Sequence, residues 1–130
     1  NGEEAIMACA EAGVRSIEHG FFMTVRALDE LAKRGIWWVP TVGALERAAA
    51  NVTADVQQRI NKIIEGHIAM IGNAHERRVK LAIGTDAVLP DARYRDYYDA
   101  ELEFFRRAGI PMDEVERIAC ENGRELLEIK

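Results

Sequence analysis

Ile36-Trp37-Trp38-Val39 is an unbroken apolar run closed by Pro40-Thr41. No other stretch restricts the fold as strongly. A strand that alternates apolar and polar residues has one dry face, whereas a continuous run has two, the mark of a parallel sheet covered on both sides. Proline at its end removes a ladder N–H only where the strand leaves the sheet. Parallel neighbours must be joined by crossovers of a dozen or more residues, usually helical.

The stretches on either side of the run have that character. Ile6, Cys9, Ala10 and Gly13 recur at helical spacing behind Glu3 and Glu4, and Val14 to Glu18 then reads as a first strand closed by His19-Gly20. Thr24 reads as an N-cap, Val25, Leu28, Leu31 and Ala32 form one stripe, and Gly35 follows Lys33-Arg34 as a stop before the second strand, 36–39. Residues 44–51 read as a loop or short helix. Thr53 caps a long helical pattern with Val56, Ile60, Ile63, Ile64, His67, Ile71 and Ala74 on one face, weakened by Gly66 and Gly72 and ending near Arg78. Val79 to Gly84 is the third strand. Leu89-Pro90-Asp91 then reads as a loop, Tyr98, Leu102 and Phe105 mark a helix, and another helix follows Gly109-Ile110-Pro111 with Val115, Ile118 and Ala119 inside. Asn122-Gly123 separates a last short helix carrying Leu126 and Leu127.

Helix and strand alternate three times, and helices follow. That order predicts an α/β fold with parallel strands and right-handed crossovers. Three strands cannot close a barrel, which needs about eight. The expectation is a partial (β/α)8 TIM-type barrel comprising about its last three parallel strands with their helices, with residues 1–130 as a single segment. Such a piece leaves sheet edges and an apolar face, involving Val14, Ile17, Trp37, Val39, Leu81 and Ile83, to be covered by another copy or by the missing N-terminal half of the barrel. The alternative is a small open α/β domain that pairs with a second copy.

Composition narrows the partners. A net charge of −5 and a pI near 5.3 disfavour nucleic acid and anionic membranes, which require clustered Lys and Arg, and point to a small-molecule substrate or a protein. Cys9 and Cys120 show neither disulfide-framework nor zinc-knuckle spacing, so the chain reads as cytoplasmic. No apolar run approaches the roughly 20 residues that span a bilayer, and Asn1-Gly2-Glu3-Glu4 does not read as a signal peptide.

In parallel α/β proteins a ligand meets residues at the carboxyl ends of strands. His19, Thr41 and Asp86 hold those positions. Neighbouring side chains have plainer readings: Glu18 should point away from the barrel interior, Trp37 and Trp38 to opposite faces, and His67 and His75 to an interface or solvent. Tyr94, Tyr97 and Tyr98 read as helix packing.

Ile17-Glu18-His19-Gly20, then Trp38-Val39-Pro40-Thr41, then Ile83-Gly84-Thr85-Asp86-Ala87 resemble, in order and spacing, the second half of an amidohydrolase-superfamily barrel, in the branch of prolidase-like and imidazolonepropionase-like hydrolases. The resemblance runs through Gly109 to Glu114 and the last helix. It implies that His19 is the sixth-strand metal-ligand histidine and that Asp86 is the eighth-strand aspartate, metal-linked and catalytic. Thr41 is a weaker substrate-contact candidate, from its position alone. The first-strand histidine pair, the fourth-strand bridging ligand and the fifth-strand histidine would all precede Asn1.

The implied cofactor is a divalent metal of the zinc type, as one or two ions. Imidazole suits such an ion; the metal lowers the pKa of bound water and polarises a carbonyl, while Asp86 would move a proton from that water to the leaving amine. The implied function is hydrolysis of an amide or other C–N bond, in a dipeptide or N-acyl amino acid. The alternative is a non-catalytic half-barrel or pseudoenzyme acting through self-association.

Overall fold

The helix-stop glycines and strand runs become three αβ units in a computed structural model that describes residues 1–87 and 94–129. Helix α1 (Glu3–Ala12) leads to strand β1 (Ser16–Glu18), α2 (Val25–Arg34) to β2 (Trp37–Val39), and α3 (Val42–Ala48) with α4 (Ala54–Glu76) to β3 (Lys80–Leu81). Then come α5 (Tyr94–Arg107), α6 (Met112–Arg117), a π-helical turn (Ile118–Asn122) and α7 (Gly123–Leu127). The predicted loop Leu89-Pro90-Asp91 lies outside the described residues.

The strands form one parallel sheet in the order β1-β2-β3. Ile17 pairs with Trp38, and Trp38 with Leu81. Side chains at one register point the same way, and these three belong to the large core that also takes in Ile6, Leu28, Leu31, Ile68, Ile71 and Phe105. That is the helix-covered face. Trp37 and Val39 gather with Ala82 on the other, so the two tryptophans do face opposite ways.

The third strand is shorter than predicted. Its ladder ends with the Ala82 N–H donating to the Trp38 carbonyl, 3.1 Å, and Ile83-Gly84 run on outside it, because β3 has a described neighbour on one side only. The register also corrects Glu18. It pairs with Val39, so it lies on the Trp37–Val39–Ala82 face, the face a closed barrel turns inward. There it is exposed, and the Ser16 hydroxyl donates to it at 2.5 Å.

Among the described residues, the sheet face at Trp37, Val39 and Ala82 is not open. Trp37 and Val39 are buried because the chain folds its own end over them: Leu126 of α7 packs on that cluster, Lys80 stands over the Trp37 ring and bonds Glu125 at 2.8 Å, and the Asn122 amide donates to the Leu81 carbonyl at 2.8 Å. Asn122-Gly123 is no break. Both residues are right-handed helical, and the chain passes from α6 to α7 through the π turn.

Local chemistry explains the helix ends. The Thr24 hydroxyl accepts from the Ala27 N–H and donates to Glu3 at 2.5 Å, which fastens the start of α2 to the start of α1. Thr53 holds the N-cap position of α4 without a side-chain cap bond, and α3 starts two residues ahead of the predicted loop or helix. Cys9 and Cys120 are free and exposed. Among the described residues no helix is long and apolar enough to cross a membrane.

Candidate active site

Because the strands are parallel, the chain leaves all three at the same rim. His19, Thr41 and Asp86 stand there, and each has a left-handed backbone, with φ of 62°, 50° and 47°. For residues other than glycine this costs on the order of 1–3 kcal/mol apiece and is unusual for a β-branched threonine. The surroundings must hold each bend in place.

At His19 they do so through both backbone groups. Its N–H donates to the Val39 carbonyl at 2.9 Å, and its carbonyl accepts from the Trp38 indole, also at 2.9 Å. Gly20 makes the approach possible, since a Cβ there would lie 2.8 Å from that indole nitrogen. The half-buried His19 ring stacks near-parallel to Phe21, with centroids 6.2 Å apart. Its Nδ1 lies 2.6 Å from the Thr41 hydroxyl. Thr41 is 4% exposed, and its hydroxyl is also 2.8 Å from the Pro40 carbonyl.

His67 is a correction to the sequence reading. Instead of facing an interface or solvent it is buried inside this group, with Nε2 3.0 Å from the Pro40 carbonyl, its ring 4.5 Å from Phe21 and edge-on to Trp38. Burial, which favours the neutral ring, pushes its pKa below the ordinary value against the opposing effect of the Pro40 bond. Its Nδ1 is buried without a hydrogen-bond partner among the described residues. His75 does lie near the surface, 3.7 Å from Glu114.

Asp86 is exposed, and among the described residues no hydrogen bond reaches its carboxylate. Its backbone is tethered: Arg47 of α3 donates to the Thr85 carbonyl at 2.5 Å and the Asp86 carbonyl at 3.3 Å, while its guanidinium lies over the Tyr97 ring at 4.5 Å. Beneath Arg47 sits Glu101 of α5, fully buried, accepting from the Val42 and Gly43 N–H groups at 3.2 and 2.7 Å. Burial pushes the Glu101 pKa up to about 7, opposed by those amides and by Arg47. Gly43 is required there, because a Cβ would come within 2.9 Å of both Glu101 and Arg47.

Neither Glu101 nor Arg47 was singled out from sequence. A signal existed for Glu101: it lies three residues after Tyr98 and four before Phe105, a charged residue on the apolar stripe of its helix. Arg47 carried no such mark.

Among the described residues no three His, Cys, Asp or Glu side chains gather as a metal site. The donors present fit a contribution to one. With Nδ1 of His19 engaged by Thr41, Nε2 is the ring nitrogen that no described residue bonds.

The fold recurs in solved structures. The A. niger ochratoxinase matches 97% of the chain with a TM-score of 0.79 and 25% identity, and a Xaa-Pro dipeptidase with bound methionine in its active site matches 97% with a TM-score of 0.74 and 28% identity. The likeness is to the amidohydrolase superfamily. An uncharacterized protein, 18% identical over 98% of the chain with a TM-score of 0.79, shares the fold. No family model and no curated protein sequence matches. The amidohydrolase-like chain spans only 28% of the ochratoxinase and 32% of each of the other two, so it corresponds to about a third of such proteins or less.

Proposed function

We propose that this chain is the carboxyl-terminal part of a (β/α)8 barrel in a metal-dependent hydrolase acting on an amide or other C–N bond of a small molecule, of dipeptide or N-acyl amino acid type. The observation that carries the reading is the His19 ring fixed through Nδ1 at the same rim as Asp86, in a chain whose two named structural neighbours are hydrolases. His19 would supply one imidazole ligand and Asp86 a carboxylate. The remaining ligands would come from strands outside this chain. When bound, a divalent ion of the zinc type supplies an acidified water and a Lewis acid for the carbonyl.

The chain's own residues would do the rest. The Asp86 carboxylate, exposed at the rim and reached by no hydrogen bond from the described residues, would accept a proton from the attacking water and return it to the leaving amine. Arg47 would keep that carboxylate at its place through the backbone carbonyls of Thr85 and Asp86. The test is a rate assay of the complete protein, loaded with zinc, against dipeptides and N-acyl amino acids. Zinc-dependent release of the amine is the expected result; a zinc-loaded protein that hydrolyses neither class would sink this reading in favour of a scaffold that acts by association.

A further inference from the structure

His19 does not act alone: its ring is joined to Thr41, Pro40 and His67, and the protons of this group are determined by a single atom. The Pro40 carbonyl oxygen can only accept. It lies 2.8 Å from the Thr41 hydroxyl and 3.0 Å from Nε2 of His67, so both of those groups donate to it. This oxygen is available because the ladder of β2 ends one residue earlier, where the Val39 carbonyl takes the His19 N–H. A threonine hydroxyl carries one proton. With that proton committed to Pro40, the Thr41 oxygen can only accept from Nδ1 of His19, 2.6 Å away.

We propose that Thr41 is a positioning residue, which holds His19 in the tautomer protonated on Nδ1 and so leaves Nε2 bare as the nitrogen presented to a divalent cation. The assignment rests on the reading of His19 as a metal ligand, and it deepens it. A ligating imidazole is commonly fixed by a bond from its other nitrogen, which sets both tautomer and ring orientation. Here that bond ends on a hydroxyl, and three features keep the hydroxyl in place. Thr41 is buried; its backbone is bent to φ 50°, a conformation a β-branched residue adopts only when its surroundings enforce it; and His67 anchors the carbonyl that takes its proton. The same chain of bonds accounts for the orphaned Nδ1 of His67. Once Nε2 of that ring must donate to Pro40, a neutral His67 has only a lone pair left on Nδ1, packed among aromatic rings.

The experiment is long-range ¹H–¹⁵N correlation on the complete, metal-free protein labelled in histidine, together with zinc affinity measured by chelator competition. Wild type should show His19 protonated on Nδ1 and bare on Nε2. Thr41→Val, similar in shape but without the hydroxyl, should lose that preference and bind zinc roughly 10–100-fold more weakly, and Thr41→Ser should restore both. A wild-type His19 protonated on Nε2 overturns the proposal with no variant needed, and so does zinc uptake with unchanged tautomer and affinity in Thr41→Val, which would leave the hydrolase reading standing. A wild-type protein that takes up no zinc overturns the hydrolase reading, and with it the purpose given to Thr41.

Discussion

Arg47 donates to the Thr85 carbonyl at 2.5 Å and thereby ties the helix that follows β2 to the loop that follows β3. The same guanidinium lies over the Tyr97 ring, and a Cβ at Gly43 would meet both it and the buried Glu101 carboxylate. Arg47→Met keeps much of the stem and removes the fork. Misplacing a reacting group by about 1 Å can cost on the order of 10²-fold, so turnover of the complete protein should fall by about that factor while its zinc content stays near wild type. Steady-state kinetics beside metal analysis reads both.

The two rim candidates should fail differently. Asp86→Asn removes a proton acceptor, and turnover should drop by roughly 10²- to 10⁴-fold with most of the metal retained. His19→Ala should lose metal and activity together. Wild-type turnover in Asp86→Asn would take the aspartate out of the proposed mechanism.

Glu101 predicts a pH dependence of stability. Its folded-state pKa, about 7, lies above its ordinary 4.5, so between those values the folded protein keeps a proton that the unfolded chain gives up. The contribution of Glu101 is therefore whole below pH 4.5, declines as pH rises to about 7, and is lost above that, a change on the order of 3 kcal/mol. Denaturant titrations at pH 5 and pH 8 should show this loss in wild type. Glu101→Gln, which cannot titrate, should be less stable at pH 5 and show a smaller difference between the two.

Two glycines should respond with opposite sign to the same change. Gly20 has φ 66°, and an added Cβ would sit 2.8 Å from the Trp38 indole nitrogen that holds the His19 carbonyl, so Gly20→Ala should cost about 1–3 kcal/mol or more. Gly66 lies within α4 with nothing within 4 Å of such a Cβ, and Gly66→Ala should gain up to about 1 kcal/mol. Equal effects in chemical denaturation would contradict this account of the rim.

Much of the fold could be read from the chain because its signals are local. Gly13 and Gly35 end their helices in the left-handed conformation, Thr24 caps its helix, and the Ile36 to Val39 run lies in a strand buried on both faces. Errors arose where a residue's state depends on a distant partner. The third strand is short because ladder bonds need a neighbour; the turn at Asn122-Gly123 stays helical because α7 is drawn back over Trp37 and Val39. Glu18 lies on the face of Val39 because the register pairs the two, and a register belongs to the neighbouring strand rather than to the local pattern.

The same division runs through the site. Sequence by itself determined that His19, Thr41 and Asp86 leave parallel strands at one rim, because strand ends follow from apolar runs and from the residues that close them. Only the tertiary structure decided that Thr41 meets His19, that His67 turns inward to the Pro40 carbonyl, and that Glu101 lies beneath α3 with Arg47 reaching over to Thr85. Those bonds span 22 to 58 residues of chain. Nothing in a local pattern encodes such a pairing; it exists because buried polar groups must find partners once packing has removed water.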